Sequence, residues 1–262
     1  MPPAGVLFKQ LSAGNHHTCG IDTEDGLHCW GIDDGSSFDF GQVSDAPSGI
    51  FSSVAAGYNH TCALNAGKAV CWGITPDNLN APEQAGYEKG QVTAIPENIH
   101  FARLVAGHSH TCGIRTDGGL ECWGSTNGQK DVPAAMNFQQ LAAGFHNNCA
   151  IDSNQQLQCW GWTAWGLVEA VPTGAFQSVG CGYGHCCAVR TTGEIACWGV
   201  PNNPVMGSGV QDKGQVTDAP TSGEYRFVGG GTSHSCAVTS QDKAVCWGGG
   251  AAVITQVPLE LQ

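Results

Sequence analysis

Charge is scarce in this chain. Asp, Glu, Lys and Arg make up 12% of 262 residues, with 10 basic against 22 acidic side chains and a net charge of −12. No basic stripe exists to neutralise phosphates, which argues against a nucleic-acid surface, and an anionic membrane would repel the chain. No run approaches the roughly 18 apolar residues that a spanning helix needs. No stretch carries a capped helical stripe. Catalytic signatures are missing too: there is no Gly-x-Ser-x-Gly, no His-Glu-x-x-His and no phosphate-binding glycine loop. What the chain holds instead is 38 Gly, 14 Cys and 8 Trp, with 41% hydrophobic residues, enough for a sizeable core.

These residues repeat. Cys-Trp-Gly occurs six times, beginning at Cys29, Cys71, Cys122, Cys159, Cys197 and Cys246, and a second cysteine precedes each copy: Cys19, Cys62, Cys112, Cys149, Cys187 and Cys236. The separation is ten residues in five copies and nine in one. Upstream lies a small-residue strand ending in Gly14, Gly57, Gly107, Gly144, Gly182 or Gly231. These glycines are 43, 50, 37, 38 and 49 residues apart, so a loop after Cys-Trp-Gly absorbs the insertions. The long loops carry turn formers such as Thr75-Pro76-Asp77-Asn78 and Pro201-Asn202-Asn203-Pro204.

Within a repeat the period is that of strands. His60, Cys62 and Leu64 share one parity and Thr61 and Ala63 the other; a turn at Asn65-Ala66-Gly67 leads into the strand that carries Cys71-Trp72-Gly73. A further strand is suggested at Gly41-Gln42-Val43, Gly90-Gln91-Val92 and Gly214-Gln215-Val216. Hairpins apolar on both faces suit radial blades. The fold expected is all-β: a single β-propeller domain over 1–262, of six blades, with seven as the alternative. Pro3 to Phe8 mirrors Pro47 to Phe51, and Val253 to Pro258 mirrors Gly214 to Pro220, so strands from both termini are expected to close the ring.

Cysteines flanking a hairpin turn face each other across adjacent strands, near 5.5 Å between Cα atoms, within reach of a disulfide. One bridge per blade follows. Repeat five adds Cys181 and Cys186, expected to form a seventh bridge. Zinc is the competing use, but its knuckles space cysteines by two to four residues and the dominant spacing here is ten. No metal and no cofactor are expected. An even count at one pair per repeat points to an oxidising compartment, secreted, periplasmic or extracellular, although no signal peptide precedes the repeats.

His17, His60, His110, His185 and His234 form a column, with Asn147 in repeat four. They read as structural residues that donate to a neighbouring carbonyl, since Asn offers the same hydrogen bonds as His. The binding candidates are elsewhere. Directly after the repeat glycine come Asn15, Tyr58, His108, Phe145, Tyr183 and Thr232, a largely aromatic set at one end of the repeats. Trp162 and Trp165 are the tryptophans outside the Cys-Trp-Gly series, in a variable loop; Phe38 and Tyr87 are weaker loop candidates. Asn59-His60-Thr61 matches the glycan acceptor pattern but lies in the repeated core, so no glycan is expected there.

The run Val54-Ala55-Ala56-Gly57-Tyr58-Asn59-His60-Thr61-Cys62, followed by Gly67 to Gly73, resembles the repeat of the regulator-of-chromosome-condensation superfamily. The resemblance covers nearly the whole chain and implies a propeller of four-stranded blades. The half-cystines resemble its secreted bacterial and plant receptor-ectodomain branches. A nuclear member exchanges nucleotide on a small GTPase, but its functional loop has no counterpart here. A bacterial propeller of similar type inhibits β-lactamases through aromatics on one face, which directs attention to Tyr58, Phe145 and Tyr183. The function expected is binding of a protein partner through one face by a monomer, without catalysis, nucleic acid or membrane. The alternatives are a lectin-like propeller that binds glycans and an enzyme or metal-binding protein.

Overall fold

The computed structural model describes residues 1–79, 84, 86–125, 127–200 and 211–249. The chain divides into two compact units, Met1–Val132 and Pro133–Gln262. The first contains three antiparallel sheets: β1 (Phe8–Ala13), β2 (His17–Asp22) and β3 (Leu27–Gly31); β4 (Ser53–Ala56), β5 (His60–Asn65) and β6 (Lys68–Gly73); β7 (Phe101–Ala106), β8 (His110–Arg115) and β9 (Leu120–Gly124). The second contains β10 (Phe138–Ala143), β11 (Asn147–Asp152) and β12 (Leu157–Gly161); β13 (Phe176–Cys181), β14 (His185–Arg190) and β15 (Ile195–Gly199); β16 (Tyr225–Gly230), β17 (His234–Thr239) and β18 (Ala244–Gly248). Among the described residues the repeats are thus six all-β sheets, each in sequence order.

The expected β-propeller, ring-closed by strands from both termini, is corrected here. Among the described residues every sheet is an open three-stranded one, and no sheet is closed into a ring. Among the described residues the first sheet consists of β1, β2 and β3, within Phe8–Gly31. The segment Val253 to Pro258 on which closure rested lies outside the described residues, as does the turn Pro201 to Pro204.

The fourth strand of each blade is the second correction. Gly41-Gln42-Val43, Gly90-Gln91-Val92 and Gly214-Gln215-Val216 are turns. Gly41, Gly90 and Gly214 have φ of 80°, 84° and 91°, a left-handed conformation that breaks a strand. Each following Gln is fully buried and uses its amide on the local backbone. Oε1 of Gln42 accepts from Phe40 N at 2.7 Å, and Nε2 donates to Phe38 O at 2.9 Å. Gln91 repeats this with Lys89 N and Tyr87 O, and Gln215 with Lys213 N and Gln211 O. A side chain that satisfies its own backbone competes with sheet pairing.

The Gln carbonyl completes the clasp. Trp72 Nε1 donates to Gln42 O at 2.9 Å, Trp123 to Gln91 O at 3.1 Å and Trp247 to Gln215 O at 3.0 Å. In repeat four Leu167 occupies the Gln position and accepts from Trp198 at 3.1 Å. Four of the six Cys-Trp-Gly indoles, those of Trp72, Trp123, Trp198 and Trp247, are therefore buried with their N–H groups paired, the condition for placing Trp in a core.

Strand register explains the cysteines. Cys62 faces Cys71 and Thr61 faces Trp72 across β5 and β6, and the pattern recurs in the other five hairpins. Disulfides join Cys19–Cys29, Cys62–Cys71, Cys112–Cys122, Cys149–Cys159, Cys187–Cys197 and Cys236–Cys246, with Cα separations of 4.0–4.1 Å. That is shorter than the 5.5 Å anticipated, because the pairs occupy non-hydrogen-bonded positions, where the two backbones lie closer. Cys181–Cys186 joins β13 to β14, and no cysteine is free.

Apolar cores lie between successive sheets of each unit. In the first, Cys19 and Ile21 pack on Phe51, Val54 and Trp72; Cys62 and Leu64 pack on Phe101, Leu104 and Trp123. In the second, Cys149 and Ile151 pack on Phe176, Val179 and Trp198, and Cys187 and Val189 on Tyr225, Val228 and Trp247. The half-cystine face of one sheet meets the first strand and the Trp of the next. Both faces of a hairpin are buried for that reason.

Candidate functional site

The repeat glycine sets the site geometry. Gly57 N donates to His60 O at 2.8 Å, closing a tight turn that presents Tyr58; Gly144 and Gly182 do the same for Phe145 and Tyr183. A Cβ on Gly57 would stand 2.4 Å from the His60 ring and 2.6 Å from Gly107 O, so only Gly fits. Tyr58 N then donates to Gly107 O, and Phe145 N to Gly182 O, both at 3.1 Å. Neighbouring turns are pinned together within each unit, and the aromatics on them are held side by side.

In the second unit five aromatic rings form one cluster. Phe145 lies 4.1 Å from Tyr183 and 4.4 Å from His146 between ring centroids. His146 meets Trp162 at 5.2 Å, Trp162 meets Trp165 at 4.8 Å, and Trp165 returns to Tyr183 at 5.6 Å. Trp162 is 40% exposed, Trp165 is buried, and the other three are half-buried. Trp165 has φ of 70°, a left-handed conformation unusual for a bulky residue and costing about 1–2 kcal/mol. Its indole packs on Trp162 and Tyr183.

In the first unit Tyr58, Tyr87 and His108 form a triangle with centroid separations of 4.4, 5.7 and 6.3 Å. His16 touches Tyr58 at one side and Phe38 at the other. The connectors supply Phe38, Tyr87, Trp162 and Trp165, and the turns supply the rest.

Both sets of candidate residues named from the sequence, the turn aromatics and the tryptophan pair, thus meet in one place in the second unit. Asn15 and Thr232 are exposed and belong to neither cluster. The binding candidates, drawn from the position directly after the repeat glycine, do not include His16 and His146. Their signal was position, since each lies two residues after a repeat glycine. Asn59 is buried at 1% exposure, so a glycan there would have to displace it.

Three members of the histidine column bind a hydroxyl rather than the expected carbonyl. Nε2 of His17 shares a hydrogen bond with Thr61 Oγ1 at 2.6 Å, His60 with Thr111 at 2.9 Å and His185 with Ser235 at 2.8 Å. Each bond runs from one sheet to the next. Burial, assisted by His16, holds His17 down at about 4; burial with His110, His17 and His108 holds His60 at about 3; burial and His234 hold His185 at about 4. These imidazoles are neutral links.

Repeats four and five change both partners together. Asn147 replaces His, Cys186 replaces Thr, and Asn147 Nδ2 donates to Cys186 Sγ at 3.1 Å. Cys149, Cys181 and Cys186 bring three sulphurs within 4.8 Å of one another, the one such group of potential ligands among the described residues. All three are in disulfides, so none offers the thiolate a metal requires.

With this geometry in view, comparison with known proteins is informative. The family model described as regulator of chromosome condensation (RCC1) repeat matches residues 8–42 and 176–203. Among curated proteins, the serine/threonine-protein kinase-like protein CCR2 of Arabidopsis thaliana is 26% identical over 126 residues, 45% of this chain and 16% of that protein. Protein pim1 of Schizosaccharomyces pombe is 25% identical over 156 residues, 48% of this chain and 29% of its own. The matches therefore span less than a third of either relative. The ectodomain of the Arabidopsis thaliana receptor kinase ACR4, described as CRINKLY WD40, superposes with a TM-score of 0.70 at 22% identity, over 98% of this chain and 84% of that one. The ectodomain of Physcomitrella patens receptor kinase CR4 gives 0.68 at 22%, over 94% and 63%. Yeast RCC1 (Prp20), solved bound to Kap60, gives 0.64 at 16%, over 92% and 70%. Two segments of the chain are thus similar to the RCC1 repeat, and its fold is similar to those of the receptor-kinase ectodomains and of yeast RCC1, with a disulfide in every repeat.

Proposed function

We propose that the chain is a non-catalytic, disulfide-pinned repeat protein that binds a protein partner through its turn aromatics. The observation that carries this reading is the meeting of Phe145, Tyr183, Trp162 and Trp165 in one partly exposed cluster. Tyr and Trp held rigidly by a scaffold supply large contact area at low ordering cost. In the first unit the half-buried Tyr58 is the corresponding turn aromatic, packed on a buried His108. Likeness in fold to two receptor-kinase ectodomains supports the reading, and with seven disulfides it supports an extracellular or periplasmic setting. A monomer is the expected state.

The exposed face of Trp162 favours glycan binding as the second reading, since an indole face also stacks on a sugar. One experiment separates them. Ligands selected from a peptide-display library and a glycan array are both tested against wild type, Trp162→Ala and Tyr58→Ala. Peptide binding weakened about tenfold by either substitution supports the protein reading. Array binding lost in Trp162→Ala, without any peptide ligand, replaces it with the glycan reading.

A further inference from the structure

The five rings of the second unit do more than touch; their contacts close. Trp162, His146, Phe145, Tyr183 and Trp165 form a cycle in which each ring meets two others, with centroid separations between 4.1 and 5.6 Å. We propose that this cycle receives a positively charged side chain, an ammonium or guanidinium group presented by a protein partner. The proposal rests on the protein-binding reading and assigns the chemistry of its central contact.

Three observations carry it. The first is size. Neighbouring centroids lie 4.1–5.6 Å apart, so one cationic group can stand within the ~6 Å reach of a cation–π contact from two adjoining rings at once. The second is orientation. Three of the five contacts are edge-on, at 78°, 82° and 69°, so the rings form walls rather than a stack. Trp165 is the buried floor and Trp162 the exposed lip.

The third is charge. No Lys or Arg occurs between Lys130 and Arg190, a stretch that holds all five rings, as well as Asp131, Asp152 and Glu169. Arg190, at its end, lies over the Phe176 ring at 5.0 Å and is engaged there. Burial lowers His146 below its usual value, so it adds no positive charge at neutral pH. A net charge of −12 favours approach of a cation over long range. Among the described residues of the first unit, Tyr58, Tyr87 and His108 meet as a triangle of three rings.

The test titrates the full chain with tetramethylammonium and with neopentyl alcohol, its neutral counterpart in shape, following indole N–H resonances. Glycine- and serine-flanked peptides carrying trimethyllysine, lysine, arginine or norleucine follow. The expected result is saturable binding of the cations at least about tenfold tighter than that of the neutral partners. Trp162→Ala is expected to weaken it at least about fivefold with thermal unfolding unchanged, and Trp162→Phe, which keeps a ring, to lose less. Equal binding of neopentyl alcohol, indifference to Trp162→Ala, or no saturable binding overturns the proposal. Tetramethylammonium bound without any cationic peptide overturns the partner side chain as source. A norleucine peptide bound as well as lysine, and lost in Trp162→Ala, also overturns it while leaving the protein-binding function standing.

Discussion

Each unit is built from three copies of one repeat, yet their turn aromatics organise differently. In Met1–Val132 the three sheets are linked by His17–Thr61 and His60–Thr111, and the aromatics collapse to a triangle. In Pro133–Gln262 one link is exchanged for Asn147 against the Cys181–Cys186 bridge, and the aromatics open into a five-membered cycle. The connectors explain the second contrast. Tyr87 arrives four residues before the clasp Gln91, whose amide bonds to its carbonyl, whereas Trp162 and Trp165 arrive on a short connector where Leu167 stands at the clasp. Without a Gln amide to fold back, that connector places two indoles beside the turns. Binding chemistry is thus set by loop path, while the sheets stay constant.

The tightest packing distinguishes the units most. Gly182→Ala would put a Cβ 2.1 Å from Gly231 O, against 2.6 Å from Gly107 O for Gly57→Ala. The first should cost about 3 kcal/mol and the second less, by denaturant unfolding. Equal losses would show that both turns yield alike.

Exchanging the links comes next. Cys181→Ala with Cys186→Thr should cost about 2 kcal/mol through loss of the bridge. Adding Asn147→His recreates the pairing of His60 with Thr111 and should return about 1 kcal/mol. Asn147→His alone, facing the intact bridge, should destabilise. Additive effects across this set would mean that the two exchanged positions are unrelated.

Acid sensitivity sharpens the same contrast. His17, His60 and His185 are held neutral below the ordinary 6.5, to about 4, 3 and 4. The unfolded chain therefore binds more protons, and the stabilisation present above pH 6.5 is lost as pH falls towards those values. The slope is at most about 1.4 kcal/mol per pH unit for each imidazole. His60→Asn, which copies Asn147, should flatten the loss by about that amount between pH 6 and 4, read by hydrogen exchange in the first unit. An unchanged slope would remove His60 as the titrating group.

The smallest effect on stability belongs to the exposed indole. Trp162→Ala should change unfolding by less than about 0.5 kcal/mol, while Trp165→Ala, on the buried floor, should cost several times more. A large loss at Trp162 would make it part of the core.

Much of the fold was legible because its signals are local. Fixed spacing between paired cysteines and alternating parity identify six hairpins, and Trp at the parity opposite to Cys marks both faces as buried. Gly-Gln-Val misled, since its β-branched residue and flanking turn formers resemble a strand. The role of Gln42 depends on reaching Phe40 N and Phe38 O, which no periodicity encodes. Closure misled for a related reason: similarity between the two ends states what they resemble and not what they pair with. The site was half legible. Tyr58, Phe145, Tyr183 and the two loop tryptophans stood out individually, but their assembly depends on the course of a connector and on the strained backbone of Trp165. His146 was hidden because the turn-aromatic reading stopped at the residue directly after the repeat glycine.

The self-satisfied glutamine has a wider consequence. A joint that needs nothing from the residues before it, apart from two neighbouring main-chain groups, tolerates inserted chain upstream. Length and composition there are free to diverge while the downstream indole still finds its acceptor. The molecule is in this respect an interchangeable framework, on which new recognition specificities arise by grafting at the joint with the stapled sheets left as they are.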